Sequence, residues 1–170
     1  MKVYHVSLDN KKTNVFAPRV PKDEMRLAEE DSTSARFCVS TTIEGCLSAV
    51  PWGGESLSLH DNKVITVYEF DTNDLVNQEN LIAPSTLYQK GFVPDAMYTS
   101  EHWIVNESIQ PKNVFCIAID SYEEIVVPDV PYEDSLVLET GLVTLDEVWQ
   151  GDFVMIENIK YQLCKEKNVA

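Results

Sequence analysis

The chain has 170 residues, of which 44% are hydrophobic and 24% charged, enough for one domain with a core of its own. Thirteen basic against twenty-eight acidic side chains give a net charge of −15. That field disfavours sequence-independent binding to phosphate backbones and suits either plain solubility or contact with basic protein surfaces. 

Residues 2–7 run apolar in the manner of a central strand and carry His5. Polar Ser7, Asp9 and Asn10 follow too soon for a secretion signal, and no apolar run approaches bilayer-spanning length. A cytoplasmic protein without membrane attachment is therefore expected. The stretch 8–35 is polar, broken by Pro18 and Pro21, with room for a short helix over Pro21–Glu30. A strand is predicted over Arg36–Val39. Ser40, Thr41 and Thr42 then offer helix caps, with Glu44 three residues beyond Thr41 as a capping box. The helix is predicted over Ile43–Val50, with Ile43, Leu47 and Val50 on one face, ended by Pro51-Trp52-Gly53-Gly54.

Val64–Phe70 reads as a strand, Asp71–Asn80 as a polar stretch with a short helical turn, and Leu81–Leu87 as extended. Gly91–Tyr98 reads as a loop into a strand at Trp103–Val105, with Glu101 at its mouth. Val114–Ile119 is a further strand, and Pro128 and Pro131 mark Ile125–Tyr132 as a linker. Short strands are expected at Leu136–Leu138, Phe153–Ile156 and Tyr161–Leu163, with a helical turn at Leu145–Trp149. Strands following strands with few crossover helices argue for a mixed α+β fold and against a doubly wound parallel sheet. The division expected is a core over 1–120, a linker over 121–133 and a strand-rich extension over 134–170, packed together as one structural domain.

Cys38, Cys46, Cys116 and Cys164 form no Cys-x-x-Cys pair, and the three histidines are dispersed. Reduced core cysteines are expected, with no transition-metal site. His5, inside an apolar strand, reads equally as a core residue bonded to a backbone carbonyl or as the floor of a cleft. Capping alone explains Ser40 and Thr41, although a strand-to-helix junction also attracts anions. Glu101 is a solvated charge unless His5 lies near it. Arg19 reads as a surface ion pair or a bidentate diphosphate grip, and Trp52 as a core plug or a stacking platform for a flat ligand.

Taken together, Tyr4-His5-Val6-Ser7, then Phe37-Cys38-Val39-Ser40-Thr41-Thr42 with its helix, then Glu101-His102-Trp103-Ile104-Val105 resemble the ADP-ribosyltransferase superfamily. Phe16-Ala17-Pro18-Arg19-Val20-Pro21 is also similar to a stretch of small proteins from phages and mobile elements of Gram-positive bacteria. The resemblance covers roughly residues 3–119. It implies a strand-rich, two-sheet core with few helices, NAD as substrate, and transfer of ADP-ribose to a host protein or nucleic-acid acceptor. Glu101 would be the catalytic carboxylate, His5 would position the nucleotide, Ser40, Thr41 and Trp52 would line the site, and Arg19 would hold the diphosphate. Ser40 stands where one branch of the family has tyrosine, His5 stands where the other has arginine, and Thr99 replaces an acid two residues before the glutamate. The alternative from charge is a non-catalytic acidic protein, an inhibitor occupying a basic surface of a host or nucleic-acid-binding protein.

Overall fold

The computed structural model describes residues 1–8, 13–22, 30–49, 64–127 and 153–164. Among these residues seven strands form one sheet: β1 (Lys2–Ser7), β2 (Phe37–Ser40), β3 (Val64–Asp71), β4 (Leu81–Ile82), β5 (Glu101–Ile104), β6 (Asn113–Val127) and β7 (Phe153–Leu163). Their order is β4-β5-β2-β1-β3-β6-β7, and every neighbouring pair is antiparallel. The fold is thus mixed α+β and rich in strand, with β1 in the central place. Among the described residues there is one sheet, where the resemblance implied two.

The sheet is thin at its centre. β1 and β3 match over six residue pairs, whereas β1 meets β2 in register only at Tyr4 and Ser40. Where the strands part, the His5 ring supplies what the ladder does not: its Nδ1 lies 3.1 Å from the Cys38 carbonyl. A backbone acceptor without a partner in a buried setting is costly, and the ring removes that cost.

Alternation sorts the side chains onto two faces. Val3, Phe37, Val39, Tyr68, Phe70 and Ile104 pack on one face, where Phe16 from the stretch before β2 covers them. Val6, Ile65, Val67, Ile117 and Ile156 pack on the other, against Ile43, Cys46 and Leu47 of α1 (Ile43–Ser48). Beside this second cluster, Trp103 packs with Leu87 of α2 (Pro84–Gln89) and Ala96 of α3 (Ala96–Thr99).

Local chemistry explains several departures from the sequence-based elements. α1 begins one residue later than the capping box implies: Thr42 is the cap, its Oγ1 accepting from Gly45 N at 2.9 Å. Leu81–Leu87 is extended only to Ile82, because Pro84 in the first helical turn opens α2. The loop expected over Gly91–Tyr98 ends in α3. β6 runs on to Val127, so the first part of the linker expected over 121–133 is strand. The two short strands near the C-terminus are one, and β7 pairs with β6 through a register shift at Ser121. The helix expected over Pro21–Glu30 falls mostly, and Trp52, Leu136–Leu138 and Leu145–Trp149 fall wholly, outside the described residues.

Gly45 is the position where α1 comes closest to its neighbours. A Cβ there would collide with the Thr99 carbonyl oxygen and the Ser40 hydroxyl. Overpacking against rigid backbone belongs in the upper part of the usual range, so Gly45→Ala is expected to cost about 3 kcal/mol. Urea denaturation measures it directly; an unchanged midpoint would mean that α1 is free to lift from the sheet.

Candidate functional site

β2 and β5 pair over Phe37↔Ile104, Cys38↔Trp103, Val39↔His102 and Ser40↔Glu101. Directly opposed residues point to the same face, so Ser40 and Glu101 are immediate neighbours. Ser40 is 2% exposed and its hydroxyl donates to the Thr99 carbonyl at 2.6 Å. Glu101 is 6% exposed, and its Oε1 accepts from the Trp103 indole N–H at 2.7 Å. Burial, then the charges of Glu30 and Asp95, push its carboxyl up to about 7, against the pull of hydrogen bonds from Trp103 and the Cys38 thiol. The Cys38 thiol is in turn pushed well above its ordinary value by burial and by Glu101, which leaves it a poor nucleophile.

One cation closes this cluster, and sequence reasoning passed it over. Arg36 has no exposed side-chain surface. Its guanidinium lies 4.1 Å from the centre of the Trp103 ring, pairs with Glu30, reaches Asp31 at 3.5 Å, and donates to the carbonyls of Asp31 and Ser34. Phe92 stacks on the same indole. Asp31 resists its burial through hydrogen bonds from Ser34 and Thr33, which hold its carboxyl down to about 2. The available signal was compositional: Arg36 is one of three arginines in the chain and stands at the entry to an apolar strand.

His5 is not part of this group. Tyr4 shares a face with Ser40, so His5, its neighbour in β1, faces the other way. The ring is half-buried among Phe16, Phe37 and Tyr68. Burial foremost, with Arg19 adding to it, pushes its pKa down to about 4. Arg19 is exposed, its backbone paired both ways with that of Arg36. Thr41 is half-buried at the bend between β2 and α1. The sheet therefore brings Ser40 and Glu101 together, leaves His5 on the opposite face, and makes no single cleft of the three.

Chemically, the Ser40–Glu101 side offers a carboxyl that changes charge near neutral pH beside a hydroxyl, with the indole and the thiol fixing its orientation. Among the described residues no cluster of three or more metal-ligating side chains is present, and no helix is long and apolar enough to cross a membrane. Comparison of the chain with protein-family models, curated proteins and solved structures finds no match.

Proposed function

We propose that the protein is an ADP-ribosyltransferase-like enzyme that cleaves the nicotinamide–ribose bond of NAD, with Glu101 as its catalytic carboxylate. One observation carries the reading: the strands bearing His5, Ser40 and Glu101 lie side by side as β1, β2 and β5, with Ser40 directly opposite Glu101. A buried carboxyl whose pKa is pushed to about 7 by its surroundings is also a common mark of a reacting group. In the reaction the bond between C1′ and the nicotinamide nitrogen breaks, and its electron pair leaves with the base. The ribose gains oxocarbenium character, which ionised Glu101 stabilises; an acceptor nucleophile then bonds to C1′ and releases its proton to solvent. Ser40 holds the floor beside it. His5 acts from the far face only by bridging β1 to β2 at the Cys38 carbonyl.

Nicotinamide release from labelled NAD, with and without host-cell lysate, tests this. Release is expected to rise with pH through about 7, as Glu101 loses its proton, and to fall at least a hundredfold in Glu101→Gln. Equal release from the two proteins, or none from either, would remove the enzyme reading.

A second reading rests on charge: at −15 the protein is suited to occupying a basic surface of a host protein. A partner retained at low salt and lost at raised salt is the expected result of a pull-down, because such contacts are screened. No partner at either salt would count against it.

A further inference from the structure

The row that contains Glu101 and Ser40 does not stop at β2. Tyr4 lies opposite Ser40, Glu69 opposite Tyr4, and Asn113 opposite Glu69, so five polar residues cross β5, β2, β1, β3 and β6 on one face. At about 4.8 Å between strands, the row spans roughly 19 Å. Its Glu101 end is buried; its Asn113 end opens into a shallow, solvent-open cavity of about 540 Å³. Tyr4, Phe115 and Tyr161 contribute aromatic rings to the cavity, and Glu69 contributes a carboxylate.

Glu69 has 14% of its side chain exposed, and hydrogen bonds from Lys2 and Asn113 outweigh the effect of burial, keeping it ionised. Asn113 donates to Oε1 at 2.8 Å, and Lys2 reaches Oε2 at 3.0 Å. The Lys2 side chain is 60% exposed, and pairs of that kind contribute little, so an incoming cation displaces it at small cost. Val114, Tyr161 and Leu163 give the mouth an exposed apolar rim. A carboxylate between aromatic rings, in a chain of charge −15, fits a flat cation better than an anion or a neutral ligand.

We infer that this cavity receives an arginine side chain of a basic protein partner, its guanidinium bonded to Glu69 and lying against the rings of Tyr4 and Tyr161. The inference deepens the charge-based reading and rests on it only for the kind of partner. A site-resolved readout with a defined peptide keeps the two separable: the cavity can fail while the salt-dependent pull-down stands.

The probe is a tetra-arginine peptide titrated at physiological salt, followed by the amide resonances of Asn113 and Phe115 and by calorimetry, with tetralysine alongside. Tetra-arginine is expected to shift those resonances and to bind more tightly than tetralysine. Glu69→Gln is expected to weaken binding about tenfold, the share of one charge-assisted hydrogen bond. Lys2→Gln is expected to strengthen it two- to fivefold, by freeing the carboxylate. Tyr161→Ala, on an exposed edge strand, removes one ring without touching the core and is expected to weaken binding several-fold. Unmoved cavity resonances, equal binding of tetralysine, or full binding by both Glu69→Gln and Tyr161→Ala would each overturn the assignment.

Discussion

Glu101→Gln is expected to stabilise the protein by about 3 kcal/mol at pH 8 and to leave its stability unchanged near pH 4. The folded protein holds this carboxyl at about 7 against 4.5 for the free side chain, so folding favours the protonated form. Below pH 4.5 both states are protonated and the group contributes no pH dependence. As pH rises from 4.5 to 7 the unfolded chain releases a proton that the folded one retains, and stability falls; above 7 the full cost of burying the charge is present. A gap of roughly 2.5 units at 1.36 kcal/mol each gives the magnitude. Glutamine keeps the shape and an oxygen for the Trp103 indole N–H without the charge. In melting temperature the gain at pH 8 is on the order of 5–10 °C for a chain of this length. Such a gain, paired with loss of NAD cleavage, would identify a group retained for chemistry at the expense of stability. Parallel stability–pH profiles for the variant and the parent would show instead that Glu101 ionises as freely as a surface carboxylate.

His5 supplies the opposite slope. Its folded pKa of about 4 lies below the unfolded 6.5, so its contribution is full above 6.5 and is lost as pH falls towards 4. The half-buried ring makes about 3 kcal/mol an upper bound. The His102 pKa is lowered in the same direction, by burial. Between pH 4.5 and 6.5 the slope of His5 offsets that of Glu101, and the parent profile is expected to be nearly flat there, with only the shallow rise that His102 adds. Removing Glu101 exposes the histidine slope, so Glu101→Gln should gain stability steadily across that window.

What could be read without coordinates was local. The alternation of β1 and the apolar runs of β3 and β6 mark strands because each packs on a hydrophobic layer, and that pattern is written in adjacent residues. The relation of His5 to Glu101 was not, because it depends on register. Moving the β1–β2 pairing by one residue would exchange Tyr4 for His5 on the Ser40 face, and nothing within either strand sets that choice. The cap of α1 was ambiguous for a related reason: three consecutive hydroxyl residues all suit the position, and Glu44 favoured Thr41, whereas the tight approach at Gly45 places Thr42 there. Pro128 and Pro131 suggested a break from Ile125, yet residues before a proline prefer extended backbone, and β6 uses them up to Val127. Arg36 carries no motif. Its importance comes from Glu30, Asp31 and Trp103, the last of them 67 positions away, and only the folded chain assembles them.

Arg36→Met is accordingly expected to be among the most damaging single changes, at about 3 kcal/mol. Methionine fills much of the same space, so the cost is electrostatic rather than a cavity. Glu30 and Asp31 lose their shared cation in a setting where their side chains are only 10% and 13% exposed, and breaking a buried pair usually costs 3–5 kcal/mol. The Arg36 Nε is buried without a hydrogen-bond partner in the folded protein, and removing that orphan donor returns about 1 kcal/mol. Arg36→Lys keeps the charge but loses the planar fork that serves the two carboxylates, two carbonyls and the indole at once, so it should fall between the parent and the methionine variant. The double variant Arg36→Met/Glu30→Gln separates the causes. If the cost lies in a carboxylate deprived of its cation, neutralising Glu30 restores 1–2 kcal/mol, and a double-mutant cycle registers that coupling. If the two losses simply add, packing against Trp103 carries the stability, and the ion pair at the back of the Glu101 site is incidental to it.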